Sequence, residues 1–173
     1  MGTITNNGGT PMTLLHTLPT LALALGATMA SAQDIGPAID DYAAGVLCPT
    51  DGDIAQADFI AQTLVVPAAL GMSFGVQAQA VSPAGVPDVT ITVVHPPFQV
   101  GGPTQQAFST EISGAGMSGF YYRFDTPEEL APGAWRIQAT AAGQLLYAVD
   151  FEVVRPAAND GLLRACNVAV PVQ

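Results

Sequence analysis

Residues 133–153 read GAWRIQATAAGQLLYAVDFEV, and their spacing decides the fold class. Trp135, Ile137 and Ala139 alternate with Arg136, Gln138 and Thr140. After Ala141-Ala142-Gly143-Gln144 the alternation resumes, with Leu145, Tyr147, Val149, Phe151 and Val153 opposite Asp150 and Glu152. Successive side chains of a strand point to opposite faces, so this pattern is a strand with one buried face. Two such runs across a short Gly-containing link read as a β-hairpin. Arg136 then sits across the hairpin from the Asp150/Glu152 face, and a cross-strand ion pair accounts for those acids, worth about 0.2–1 kcal/mol.

Upstream the same period recurs. Phe74, Val76, Ala78 and Ala80 share one face of 72–81; Val89, Ile91 and Val93 share one face of 89–94. In 119–124, Phe120, Tyr122 and Phe124 face one way, Tyr121 and Arg123 the other. Weaker strand candidates lie at 41–48, 59–66 and 106–112. Turn signals separate the runs: Ser82-Pro83-Ala84-Gly85, Pro96-Pro97, Gly101-Gly102-Pro103, Gly114-Ala115-Gly116 and Pro132-Gly133. About seven or eight antiparallel strands at such spacing make an all-β sandwich. One helical turn is expected at Thr126-Pro127-Glu128-Glu129-Leu130, with Thr at the N-cap, Pro at N1 and acids in the first turn. The helix dipole accounts for the adjacent acids there.

Ahead of this domain, 12–33 reads MTLLHTLPTLALALGATMASAQ. An apolar run from Leu21 to Ala27 precedes Ala30-Ser31-Ala32, the pattern of a cleaved export signal. Met12 is the expected start, although the n-region has His16 and neither Lys nor Arg. The apolar core falls short of the about 20 residues of a membrane span, so no stable insertion is expected after cleavage. Residues 1–32 are therefore read as leader and signal, 33–154 as the sandwich, and 155–173 as a tail. The mature chain would have 141 residues and be periplasmic or extracellular. In an oxidising compartment two cysteines read as a disulfide. Cys48 and Cys166 stand 118 apart, so the bridge would tie the tail back and close nearly the whole domain.

Of the 173 residues, fourteen are acidic and four are arginine, and there is no lysine; the net charge is −10. Residues 33–122 carry eight acids and no base, and 123–173 carry six acids and all four arginines. Nucleic acid is excluded as a partner because it demands clustered positive charge. A basic protein or ligand suits the surface better than an acidic one.

Residues for chemistry are few. His95 is the only histidine of the mature chain. A base of this kind could act with Ser109, Ser113 or Ser118, but no nucleophile motif surrounds them. It is read as a structural histidine ending a strand. Asp51-Gly52-Asp53 with Asp58, after Asp40-Asp41, lacks the ligand order of an EF-hand and reads as a solvated acidic loop. Neither cofactor nor metal is expected, and no catalytic residue is assigned. The residues assigned to a binding surface are Tyr121 and Arg123, a pairing of types enriched at interfaces. The leading reading is a non-enzymatic binding or accessory module for a protein or small ligand, its edge strand open to β-augmentation. Two other readings stay open: a small hydrolase or metal-dependent enzyme using His95 and the acids of 40–58, and a calcium-stabilised structural domain.

The phrase Glu129-Leu130-Ala131-Pro132-Gly133-Ala134-Trp135, a hairpin, then Phe151-Glu152-Val153 is similar to the closing phrase of many immunoglobulin-like bacterial domains. With Gly71, Phe74-Gly75-Val76 and His95-Pro96, it resembles one exported bacterial family in particular, the domain of unknown function numbered 3859. The resemblance spans about 40–154. It implies an immunoglobulin-like sandwich and brings no catalytic residue.

Overall fold

The computed structural model describes residues 33–48, 58–158 and 160–169. The leader, and Asp51 and Asp53 of the acidic loop, lie outside the described residues. Among the described residues, nine strands and two short helical pieces follow in order: β1 (Gln33–Ile35), β2 (Ile39–Leu47), β3 (Val65–Pro67), β4 (Ser73–Ala80), β5 (Val86–Val94), β6 (Gln105–Ile112), β7 (Ser118–Arg123), a 3-10 turn (Pro127–Glu129), β8 (Gly133–Ala141), β9 (Gln144–Val154) and α1 (Gly161–Ala165).

They form two sheets. One runs β1-β9-β8-β5-β6, with β3 also on β9; the other runs β2-β4-β7. All pairings are antiparallel except β3 with β9. The expected inner faces meet between the sheets. Phe74, Val76, Val89, Ile91, Val93, Phe124, Trp135, Ile137, Tyr147, Val149, Phe151 and Val153 are all buried. The Phe74 ring lies 5.0–6.0 Å from those of Tyr122, Phe124, Trp135 and Phe151, so it joins both layers. The buried Trp135 indole is satisfied, donating to the Ala131 carbonyl at 3.0 Å.

The decisive hairpin forms with Ala142 and Gly143 both at positive φ, 48° and 76°. Both central residues of a tight type I′ turn need that region. One detail departs from strict alternation. The β8–β9 register shifts between Ala139 and Thr140, because Tyr147 faces Ala139 while Leu145 faces Thr140. The extra residue is Leu146, which turns inward at 3% exposure and leaves Leu145 at 37%. A bulge reassigns a face in this way. The expected ion pair is present: Arg136 lies opposite Asp150, Nη1 to Oδ1 at 2.7 Å, and Nη2 also reaches Asp34 at 3.1 Å.

Two further differences concern weak patterns. Of the 59–66 candidate only Val65 and Val66 become strand, as the start of β3, plus one bridge between Val46 and Ala61. The tail contains a helix: the Asp160 side chain accepts from the Leu162 and Leu163 amides, both at 3.0 Å, and Leu163 is fully buried. Cys48 and Cys166 are bridged, with Cα atoms 5.0 Å apart, so the tail is held against the end of β2.

Candidate functional site

β6 and β7 each end a sheet, and they lie on the same side of the sandwich. Their inward side chains face each other where the two layers part. Phe108 packs against Phe120 with ring centroids 5.2 Å apart and the planes tilted by 48°. Cross-strand register puts Gln106 beside Val93 and Phe108 beside Ile91, on the core side of β6. A cleft of about 370 Å³ opens here, lined by Gln106, Phe108, Tyr121, Tyr122, Arg123, Asp125 and Glu129.

A chain of hydrogen bonds runs along its floor. Gln106 Nε2 donates to the Tyr122 hydroxyl at 3.0 Å, and that hydroxyl donates to Glu129 Oε1 at 3.3 Å. Glu129 Oε2 accepts from the Asp125 and Thr126 amides at 2.6 and 3.0 Å. The helical turn read from the sequence therefore has a second role, since its N3 glutamate is fixed at the cleft by backbone donors. Burial, opposed by the Gln106 hydrogen bond and reinforced by Glu129 and Asp125, pushes the Tyr122 phenol up to about 12. It stays a neutral donor at neutral pH.

His95 lies behind Gln106. It is 3% exposed, stacked on Phe98 at 4.1 Å and near Trp135 at 5.1 Å. Its Nε2 lies 3.4 Å from Gln106 Nε2, and its Nδ1 lies 2.8 Å from the Pro96 carbonyl. An amide N–H and a carbonyl as partners assign the ring proton to Nδ1. The serines are engaged in the β6–β7 turn instead: Ser118 Oγ accepts from the Ser113 amide at 2.7 Å, and Ser113 Oγ from the Ala115 amide at 3.0 Å. Ser109, Asp40, Asp41 and Asp58 are exposed, and Asp41 accepts from the Tyr42 amide. The structure thus brings His95 to a glutamine and an aromatic shelf. Among the described residues, no group of three His, Cys, Asp or Glu is placed to hold a metal ion.

Tyr121 and Arg123 both line the cleft, and each is also built into the fold. The Tyr121 ring meets Phe59 edge-on at 5.9 Å, and its hydroxyl accepts from Gln77 at 2.6 Å. A Cβ at position 119 would strike this ring at 2.4–2.5 Å, so Gly119 makes its room. Burial chiefly raises the Tyr121 phenol, the Gln77 bond opposing and Asp58 adding to it. Arg123 Nε meets Asp125 Oδ1 at 2.6 Å. Sequence reasoning missed Gln106, Phe108 and Glu129. The signal available was a glutamine in register with the core-facing Val93.

A second depression, of about 430 Å³, lies beside β2, among Gln33, Tyr42, Gln62 and Thr63. Among the described residues its lining is uncharged, and it offers less chemistry than the β6–β7 cleft.

Residues 39–153 match the family described as a domain of unknown function, DUF3859. No curated protein matches the chain. An immunoglobulin-like protein of Pseudomonas aeruginosa, known from its crystal structure, superposes with a TM-score of 0.54 at 22% identity, over 75% of this chain and all of that one. An alkylpurine DNA glycosylase of Pseudomonas fluorescens bound to DNA with an abasic-site analogue aligns at a TM-score of 0.33 and 16% identity, over 52% of this chain and 27% of that one; this carries no argument. By its match over the sandwich the chain belongs to the DUF3859 family, and its fold is immunoglobulin-like.

Proposed function

We propose that the protein is an exported, non-enzymatic binding module whose ligand enters the seam between β6 and β7. The observation that supports this is the cleft itself. It combines aromatic walls, a neutral donor chain and both signs of charge between two strands that end their sheets. Convergent polar groups between apolar walls are what a binding site requires. Export follows from the signal reading of 1–32, and the Cys48–Cys166 bridge suits an oxidising compartment.

The test is a photo-crosslinking residue at position 108 of the full chain in its own cells. The expected result is a discrete adduct from 108 and none from position 81, which is also exposed but outside the cleft. No adduct from 108, or equal labelling from both, overturns the reading. N-terminal sequencing of the exported form should begin at Gln33.

A further inference from the structure

Among the described residues, β6 pairs with β5 and no strand covers its other edge. The phase of its hydrogen bonds follows from the pair just beyond it. The His95 amide donates to the Thr104 carbonyl at 2.9 Å, and antiparallel pairs alternate between bonded and unbonded. Gln106, Phe108 and Thr110 therefore turn their backbone groups toward β5, while Gln105, Ala107, Ser109 and Glu111 turn theirs to the open edge. Natural edges are blunted by lysine, proline, bulges or inward charges. From Gln105 to Thr110 there is no charge and no proline, and the register with β5 is unbroken. A strand added here would lay alternate side chains over the cleft. Its charge is one-sided: Arg123 is matched by Asp125, which leaves Glu129, in a chain of net charge −10.

We propose that the seam takes an extended basic peptide, bound as an additional strand on β6 with a Lys or Arg side chain entering the cleft beside Glu129. This rests on the seam reading above and names its ligand class. The backbone of Ala107 and Ser109 supplies sequence-blind pairing, and the cleft selects the side chain. The aliphatic stem of the guest lies along Phe108 and Tyr122, and its charged head meets a carboxylate already fixed by two backbone amides. A second copy of this chain would bring its own acidic charge to the edge, so charge opposes self-pairing.

The test uses the mature, disulfide-bonded protein and a blocked octapeptide of alternating Thr and Lys, with its Thr-Glu counterpart, followed by calorimetry and amide NMR. The Thr-Lys peptide should saturate, shift the amides of Ala107 and Ser109, and bind at least about tenfold more tightly than Thr-Glu. Ala107→Pro removes an outward N–H that β5 does not use, and should weaken binding by about tenfold. Glu129→Gln keeps a capping oxygen and should weaken it about fivefold, with rising salt reducing the remainder. Melting curves confirm that both variants fold. Equal binding of Thr-Glu, or wild-type binding by Ala107→Pro, overturns the basic-strand proposal while leaving the seam reading to the crosslink at 108. A dimer abolished by Ala107→Pro makes the occupant a second copy and overturns it as well. Loss of the crosslink at 108 removes the seam reading itself.

Discussion

The two seams of this sandwich are closed by different means. At the β9 seam the edge strand is used twice: Gln33–Ile35 pairs along Tyr147–Val149, and Val65–Pro67 along Glu152–Val154. Nearby, the Val46 amide donates to the Ala61 carbonyl at 3.0 Å and the Val46 carbonyl accepts from the Ile60 amide at 2.9 Å. The Cys48–Cys166 bridge then ties α1, with its buried Leu163, to the end of β2. At the β6–β7 seam two strands end their sheets, and side chains make most of the described connections: Phe108 on Phe120, and Gln106 through Tyr122 to Glu129, with one backbone bond from the Ala80 amide to the Ser113 carbonyl at 2.9 Å past the end of β6. Backbone ladders and a covalent bond hold the first. The second rests on an aromatic contact and two side-chain hydrogen bonds, worth about 1 kcal/mol for the Gln106–Tyr122 bond and about 1.5–3 kcal/mol at most for the one to the Glu129 carboxylate. Stability is concentrated where the edge is consumed, and hydrogen-bonding capacity is kept where it is not.

That contrast can be broken most forcefully at the bridge. Replacing Cys48 and Cys166 together by alanine should cost about 4–5 kcal/mol in urea unfolding, because the unfolded chain regains the freedom of a loop of over one hundred residues. A loss below about 1 kcal/mol would mean that the β9 seam stands on its ladders alone. Phe74→Ala, which empties the ring cluster shared by both layers, should cost about 3–5 kcal/mol.

Gly45→Ala probes the strapped side more gently. Its Cβ would come within 2.4 Å of the Ala61 carbonyl and 2.9 Å of the Phe59 ring, and the crowding should cost about 1–3 kcal/mol in thermal or urea unfolding. An unchanged midpoint would show that the 58–61 strap yields freely.

Tyr122→Phe addresses the open seam and should cost about 1 kcal/mol near neutral pH. Its pH signature is more specific. The folded phenol titrates near 12, above the unfolded value of about 10. Between these values the unfolded state releases its proton first, so stability is intact below about pH 10 and falls as pH rises toward 12. The variant should show a shallower alkaline decline. It should not be flat, since burial also raises Tyr147. An identical decline in both proteins would remove Tyr122 from the account.

Some of this architecture was legible residue by residue. The alternation about Trp135 and Phe151 identified both strands and their buried faces, and it set Arg136 across from the Asp150/Glu152 face, where Asp150 is the partner found. The turn at Thr126-Pro127 was legible from its capping residues. Leu145 was assigned to the wrong face, because a bulge at Leu146 depends on the register taken against β8. α1 escaped notice because a five-residue helix anchored by Asp160 and Leu163 has too few positions to show a period. Tyr121 and Arg123 were recognisable as an outward pair, but their engagement with Gln77, Phe59 and Asp125 depends on partners up to 62 residues away.

The amino-acid sequence by itself determined the all-β class, the hairpin, the core faces and an acidic surface that disfavours polyanions. Each of these follows from a residue's own chemistry and its position two along the chain. Tertiary structure alone decided that β9 is covered while β6 ends its sheet, and that Gln106, Tyr122 and Glu129 share one cleft. An edge is a property of which strands find each other, and those pairings are set by packing across long separations that no local period encodes.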